Sequence, residues 1–482
     1  MVGSKKLALF VLCAAMFLDS LDVSLVGVAL PSIERDLDLS HTTLQWLVSG
    51  YTVAYGGLLL LGGQVADLFG RRRVFIAAMG VFAVASLVGG LVDDGLLLVL
   101  SRIAKGMAAA FTAPAALSII TTTFHEGTER NRALGVYSAT AAAGYSCGLV
   151  LSGLLTQVHW RLVFILPAVI AALVLVVAPM VIRENDVPRR RTGQFDIGGA
   201  ITITAGSLLL IYGLVQAPEV GWFGGETLAA IGLAVALLVS FVLIEHRHSN
   251  PGVPLRIFRS VRLSAANLLA LMFMGASIGW QFIAVLYLQQ VMGYSALTTA
   301  LALLPMGIVV VIVAQFATAR LIARFGARAV ATTGMGVQAA GILLFAQAGL
   351  NTDYVMLLLP AVVLHGIGNG LVFPTMNISG LAGVADQEQG LASGLITAST
   401  QIGAGIGVAV LTGVSTAFAV GTDTSGQLAG YQAAFVASGI FSLIGLIVAA
   451  VGLPRLRHHD IVGQPASTTA TKLSPADAVS SN

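Results

Sequence analysis

The chain has 482 residues, of which 57% are hydrophobic and only 10% are charged, and its net charge at pH 7 is +3. Soluble domains carry about 25% charged residues, so this composition excludes an ordinary soluble protein and indicates a membrane protein. The small net charge gives no reason to expect a nucleic-acid partner.

Apolar runs recur along the whole chain, and a run of about 20 such residues is long enough to cross a bilayer as a helix. In chain order they predict fourteen spans, at residues 7–30, 44–63, 74–92, 96–119, 133–155, 162–182, 197–216, 228–244, 265–289, 298–319, 329–350, 354–374, 391–414 and 431–451. The loops between them are short, so no soluble domain is expected. The tail over 467–482 is rich in Ser, Thr, Ala and Pro, a composition typical of disorder.

The distribution of lysine and arginine predicts the orientation of these spans. With fourteen spans, nearly all lysines and arginines fall in loops on one side, and only Arg35 and Arg161 fall on the other. Positive loops remain in the cytoplasm, so both termini are predicted to be cytoplasmic.

Three motifs occur twice in the same order, about 255 to 260 residues apart, which indicates parallel repeats of the kind found in transporters. The pairs are GQVADLFGRRRV from Gly63 with ARLIARFGARAV from Ala319, KGMAAAFTAP from Lys105 with HGIGNGLVFP from His365, and GVYSATAAAGYSCG from Gly135 with GLASGLITASTQIG from Gly390. The repeat predicts an N-terminal six-helix bundle at 1–182 and a C-terminal one at 261–454. Two further spans at 183–260 lie between the bundles, and 455–482 forms the tail.

Four stretches carry a family resemblance. GQVADLFGRRR supplies Gly63, Asp67, Gly70, Arg71 and Arg72 between the second and third spans; LDVSLVGVALP supplies Asp22; LSRIAKG supplies Arg102 and Gly106; and GYSCGLVLSG lies in the fifth span. Together they resemble the major facilitator superfamily, and within it the fourteen-span drug:proton antiporters. The chain differs from the usual pattern at Tyr145, where relatives have proline, and at Lys105, where they usually have glutamine.

The resemblance implies an all-α integral membrane protein with the major facilitator fold: two six-helix bundles plus two inserted helices, in total 14 transmembrane helices. It implies proton-coupled efflux of amphipathic drugs, antibiotics or toxic metabolites by alternating access, in a bacterial cell membrane. The partners are then protons, a small amphipathic substrate and the lipid bilayer. We expect a monomer with no cofactor, no metal, no nucleic acid and no enzymatic activity.

Two other functions agree with the same sequence. The first is proton-coupled uptake of a small metabolite on the same fold. The second is a transporter-like sensor that signals without net transport, although the short loops leave little room for a docking partner.

Two aspartates lie within the first span, where a charge costs a few kcal/mol or more. Asp22 is the main candidate for proton coupling, because a carboxylate that loses water holds a proton more readily and can exchange it as access alternates. Asp19 is three residues earlier, on the same helix face, so the two carboxylates are expected to titrate together. The alternative for each is a structural carboxylate held by a neighbouring cation or hydroxyl.

The fourth span supplies two cations, Arg102 and Lys105, which also share one face. Two carboxylates and two cations would form a cluster that is neutral overall and therefore less costly to bury. We expect Arg102 to be a coupling or structural partner. Since Asp19 and Lys105 are both additions to the usual pattern, they form a hypothetical pair.

The glycine-rich turn with Gly63, Asp67, Gly70, Arg71 and Arg72 is a candidate gate. Asp67 lies near the end of a helix, where it can pair with an arginine across the interface or with a helix N-terminus. Such a contact forms in one state and breaks in another. The alternative is that the arginines only set the topology.

Several polar and aromatic residues are candidates for the substrate cavity. His365 aligns with Lys105. It is a candidate proton relay, and the alternative is a histidine that forms a hydrogen bond between two helices. The other candidates, each of which is otherwise a packing residue, are Lys105, Tyr55, Tyr145, Trp280, Gln281, Gln289, Asn369, Asn377 and Gln401.

Overall fold

The computed structural model describes residues 2–124, 128–182, 196–221, 223–247, 255–384, 389–421 and 424–453. These residues form fourteen long helices: α1 Val2–Leu37, α2 His41–Phe69, α3 Arg71–Leu91, α4 Gly95–Thr123, α5 Thr128–Val158, α6 Leu162–Val181, α7 Ile197–Val220, α8 Gly225–Arg247, α9 Val261–Val291, α10 Ala296–Phe325, α11 Ala327–Phe345, α12 Tyr354–Leu381, α13 Gln389–Phe418 and α14 Thr424–Gly452. A short 3-10 helix, Leu255–Arg259, precedes α9. The predicted tail at 467–482 lies outside the described residues.

The prediction of an all-helical membrane protein is confirmed. Within the described residues, eleven helices are long and apolar enough to cross a bilayer. The count of fourteen spans therefore stays a prediction. Most helices extend beyond the apolar runs that predicted them, because backbone hydrogen bonding continues into the polar flanks. The largest exception is α11, which ends at Phe345 rather than at the predicted residue 350, while α3 and α6 end one residue before their predicted ends.

The same set of helix neighbours occurs at both ends of the chain. In the first group α1 packs on α5 and α6, α2 packs on α4, and α3 packs on α4 and α6. Among the last six helices α9 packs on α13 and α14, α10 packs on α12, and α11 packs on α12 and α14. We call these sets the N half and the C half. The proposed domain boundaries fall partly in segments outside the described residues and stay predictions.

Two seams join the halves, one between α2 and α13 and one between α5 and α10. Small residues bring the helices close together. A Cβ added at Gly153 of α5 would lie 2.8 Å from the Cα of Leu297 on α10, and one at Gly56 of α2 would lie 3.0 Å from the carbonyl oxygen of Ala398 on α13. The inserted helix α7 packs on both α2 and α13, and α8 packs on α7. The insert therefore covers one seam.

Among the described residues, the two ends of the molecule differ in how the halves pack. At the outer end, which contains Leu37, one apolar cluster includes Leu30 of α1, Tyr287 of α9 and Leu303 of α10. At the inner end, which contains Gly70, the halves have separate clusters: Leu12, Phe75 and Ile119 lie in one, and Leu263, Met335 and Leu395 lie in the other. The described residues thus share an apolar cluster at the outer end and form separate clusters at the inner end, the one predicted to face the cytoplasm.

Candidate functional site

A charged cluster lies inside the N half, between α1 and α4. Asp22 accepts from both cations of α4: Arg102 Nη1 donates to its Oδ2, and Lys105 Nζ donates to its Oδ1. Asp22 and Lys105 are completely buried, and Arg102 is 1% exposed. Because Arg102 and Lys105 are three residues apart on one helix face, both reach the same carboxylate. The structure thus brings together three of the four predicted cluster residues.

Contacts from neighbouring helices complete the shell around the cations. Arg102 Nε donates to the backbone carbonyl of Leu47 at 2.7 Å, and its guanidinium lies 4.6 Å from the ring centre of Tyr51. The ammonium of Lys105 lies 5.0 Å from the ring of Phe82 and 5.2 Å from that of Phe164. Ring faces attract cations, so these contacts replace part of the hydration that burial removes. The cluster is consequently fixed by α1, α2, α3, α4 and α6.

Asp19 has a different environment, and the hypothetical Asp19–Lys105 pair is not formed. Its Oδ2 accepts from Thr112 Oγ1 at 3.2 Å, and its buried Oδ1 has no hydrogen-bond partner among the described residues. Helical side chains lean toward the N-terminus of their own helix, and α1 and α4 run antiparallel. Lys105 therefore leans toward Asp22, whereas Asp19 leans the opposite way, toward Thr112.

Glycine allows α2 and α4 to approach each other beside the cluster. A Cβ at Gly106 would lie 2.2 Å from the carbonyl oxygen of Tyr51, far below any real contact. A glycine next to Lys105 therefore lets α2 bring Leu47 and Tyr51 onto Arg102.

The glycine-rich turn is built on a backbone conformation that side chains rarely adopt. Gly70 separates α2 from α3 with φ +97°, and Gly326 separates α10 from α11 with φ +84°. This explains why both copies of the repeat have glycine at that position. Arg71 donates to the carbonyl of Ser118 on α4 at 3.3 Å, and Arg72 to that of Pro179 on α6 at 2.7 Å.

These contacts tie the turn to its own half. Gly63 lies in α2, where an added Cβ would approach Pro114, at 3.8 Å, and no other side chain of the described residues. The side chain of Asp67 lies outside the described residues, so the predicted gate stays a prediction.

In the C half the counterpart of Lys105 is aromatic. His365 of α12, which the repeat aligns with Lys105, stacks on Trp280 of α9 with ring centres 4.2 Å apart. The two residues are 1% and 0% exposed, and neither His365 Nδ1 nor Trp280 Nε1 has a hydrogen-bond partner among the described residues. Like Lys105, they lie inside a half rather than on the cavity surface in this structure.

Three of the other predicted cavity residues, Tyr145, Gln281 and Gln289, lie where the halves meet. Tyr145 of α5 donates its hydroxyl hydrogen to Gln281 of α9, so this pair bridges the halves. Asn369 of α12 is partly buried, and Tyr55 is buried beside Tyr51 with ring centres 6.1 Å apart. Gln289 also bridges the halves, since its Nε2 donates to the carbonyl of Val28 at 2.9 Å.

Sequence reasoning missed Thr112, the hydroxyl partner of Asp19. The signal was its position seven residues after Lys105, two turns along the same helix face. It also missed Ser277 and Gln338, which are polar residues in apolar helices and bond to each other. A shallow apolar groove between α3 and α4, lined by Val84, Val88 and Leu100 among others, contains no titratable side chain and is not a candidate site.

Comparison with known proteins gives related sequences over most of the chain. Residues 12–408 match the family model of the Major Facilitator Superfamily. The chain is 38% identical over 416 residues to a puromycin resistance protein of Streptomyces alboniger, covering 85% of this chain and 81% of that protein. It is 36% identical over 460 residues to a cephamycin export protein of Amycolatopsis lactamdurans, covering 93% of this chain and 92% of that protein.

Solved transporters share the fold. A peptide transporter of the POT family in an auto-inhibited form has a TM-score of 0.68 at 15% identity, covering 92% of this chain and 95% of that one. An inward-facing bacterial homologue of the human lysosomal transporter Spinster has a TM-score of 0.66 at 16% identity, covering 93% of this chain and 97% of that one. Such low identity shows the fold alone. The family match and the sequence relatives go further: the chain is a member of the major facilitator superfamily, a transporter whose relatives include antibiotic resistance and export proteins.

Proposed function

We propose that this transporter exports amphipathic compounds, such as antibiotics or toxic metabolites, in exchange for protons. The observation that carries the proposal is the completely buried carboxylate of Asp22, held by two cations of another helix. Intramembrane charges of this kind mark ion and proton pathways. Antibiotic export by the relatives supports the substrate class and the direction of transport.

The cluster suggests how a proton changes the conformation. Protonation of Asp22 from outside removes the negative charge that holds Arg102 and Lys105 together. The two cations then repel each other, and the contact between α1 and α4 loosens as substrate leaves. Once the protein has turned inward, loss of the proton to the cytoplasm restores both ion pairs seen in this structure. Asp19, whose described polar partner is a hydroxyl, is a second position for a proton next to the first.

The proposal extends to the inner gate, the number of spans, the oligomeric state and the topology. The turn with Gly63, Asp67, Gly70, Arg71 and Arg72 would act as the inner gate, with Asp67 engaging an arginine or a helix end when that side closes. We further infer fourteen spans, a monomer and cytoplasmic termini in the bacterial cell membrane. Cysteine labelling of the loops from either side tests the topology.

Everted membrane vesicles test direction and coupling together. Vesicles that contain the protein are energised to make the lumen acidic, and uptake of tritiated puromycin, the compound named for one relative, is measured. We expect accumulation that stops when nigericin collapses the pH gradient, and none with Asp22→Asn. Accumulation in right-side-out vesicles instead would indicate uptake, and accumulation that survives nigericin would exclude proton exchange.

A further inference from the structure

A chain of hydrogen bonds inside the C half ends at Asn369. Gln338 Nε2 of α11 lies 2.8 Å from Ser277 Oγ of α9, and that hydroxyl lies 3.4 Å from Asn369 Oδ1 of α12. Asn369 Nδ2 in turn lies 3.2 Å from the backbone carbonyl oxygen of His365. Three helices thus contribute to one relay that the charged cluster does not involve.

The backbone carbonyl of His365, at one end of this relay, determines which atom donates and which accepts in every bond. A carbonyl oxygen only accepts, so the Asn369 atom that faces His365 must be the amide nitrogen. The other atom is then the oxygen, which also only accepts, so Ser277 must donate its single hydrogen to it. Gln338 must therefore donate to Ser277. The Asn369 amide, whose orientation is often ambiguous, has one orientation here.

This orientation leaves Asn369 with a second N–H donor. An amide nitrogen carries two hydrogens, and the carbonyl of His365 takes one of them. Gln338, Ser277 and His365 are 0%, 5% and 1% exposed, whereas Asn369 is only partly buried. The accessible end of the relay is therefore the amide of Asn369.

The amide contacts α9, a helix that also contacts the N half. Its neighbour Ser277 is on α9, which has the largest buried share among the candidate membrane spans of the described residues. Gln281, one turn further along α9, bonds to Tyr145 of the N half. This face of α9 thus points to the junction of the halves.

Keeping Gln338 polar has a cost that a purely structural role does not explain. Its Oε1 is buried without a hydrogen-bond partner among the described residues. An unpaired buried acceptor is destabilising, and an apolar side chain of similar size would avoid the penalty. Function is a reason to retain such a group.

We propose that Gln338 and Ser277 are positioning residues that orient the Asn369 amide as a hydrogen-bond donor for an acceptor group of the substrate, a carbonyl above all. This inference rests on the proposed export function and narrows its substrate class. The N half supplies the charges that couple transport to protons. The C half supplies a neutral donor that selects amphipathic molecules with a carbonyl on their surface.

The test measures binding and transport separately, with two probes. Puromycin carries an amide carbonyl, whereas ethidium is an aromatic cation without one. Equilibrium binding of each probe to the purified protein is followed beside vesicle export for wild type, Ser277→Ala, Gln338→Leu and Asn369→Leu. Ser277→Thr keeps the hydroxyl and serves as the rescue. Thr412→Val removes a buried hydroxyl that donates to Val408 in its own helix and serves as the matched control.

We expect the three relay variants to weaken puromycin binding by about five- to tenfold, the worth of one hydrogen bond, and to leave ethidium binding unchanged. The KM for puromycin export should rise with little change in kcat, and Ser277→Thr should restore both values. Equal losses for both probes would show that the relay only supports the fold and would overturn the proposal, as would puromycin binding that is unaffected. Relay-dependent binding without pH-driven export would instead contradict the proposed function and leave this inference standing.

Discussion

Lys105 and Asp22 form a completely buried ion pair between α4 and α1, and Arg102 binds the other oxygen of the same carboxylate. One acidic group therefore satisfies two basic groups. This unequal arrangement means that removing the acid and removing one base have different consequences.

Asp22→Asn should destabilise the protein much more than Lys105→Met. The first change leaves two buried cations without a carboxylate, at a cost of about 3–5 kcal/mol, whereas the second leaves the Asp22–Arg102 pair intact. Thermal unfolding in detergent measures the difference. The Asp22→Asn/Lys105→Met double variant should recover part of the loss. Equal destabilisation by the two single changes would contradict the arrangement.

Charge swaps separate the two possible partners of Lys105. Exchanging Asp22 and Lys105 keeps opposite charges in contact, so it should regain part of the stability that either single reversal loses. Exchanging Asp19 and Lys105 should regain none, because their side chains lean apart. Expression level and thermal unfolding of the five variants, three single reversals and two exchanges, report the outcome, and recovery by the second exchange would refute the observed pairing.

Thr112→Val should slow export several-fold, since it removes the hydroxyl that donates to Asp19 and leaves that carboxyl without this partner. Thr112→Ser keeps the donor and should retain export near the wild-type rate. Initial rates in energised vesicles are compared at equal protein levels. If valine and serine behave alike, the contact with Asp19 has no part in transport.

Gly106→Ala should impair folding, because its new methyl group would meet the backbone of α2 at 2.2 Å. Overpacking against backbone costs about 1–3 kcal/mol or more. Gly135→Ala is the matched control, since no atom of the described residues is found within 4 Å of a Cβ at that position. Fluorescence-detected size exclusion of both variants shows the difference, and comparable elution profiles would argue against the close approach of α2 and α4.

Gln290→Glu should favour opening of the outer end. Gln290 Nε2 of α9 donates to Glu34 of α1 at 3.0 Å, and a glutamate there would place two carboxylates together across the halves. In a background with both cysteines replaced by serine, Ala300→Cys reports the opening, because Ala300 is fully buried beside α5 in this structure. A membrane-impermeant maleimide added outside should label Ala300→Cys faster with Gln290→Glu than with Gln290→Leu. Equal labelling rates in the two variants would show that the Gln290–Glu34 contact does not help to close the outer end.

The sequence predicted the all-helical fold, the family and most of the charged cluster. A long apolar run that crosses a bilayer forms a helix, because the helix supplies hydrogen bonds to the backbone N–H and C=O groups within one segment. A charge inside such a run needs a partner, which predicts a cluster of Asp19, Asp22, Arg102 and Lys105, and the structure brings the last three together. The turn glycines were likewise readable, since Gly70 and Gly326 recur at one position of the repeat.

Only the tertiary structure decided which groups pair. Helix periodicity gives the face on which a residue lies, but not the axial offset between two helices or the direction in which side chains lean. Those quantities assign Lys105 to Asp22 and leave Asp19 to Thr112. Helix placement also buries Trp280 and His365 inside the C half, and it brings Ser277 between Gln338 and Asn369. The apolar spans, the family motifs and the charged residues are properties of the sequence itself. The hydrogen-bond and ion-pair partners of each side chain depend instead on how packing places separate helices against each other.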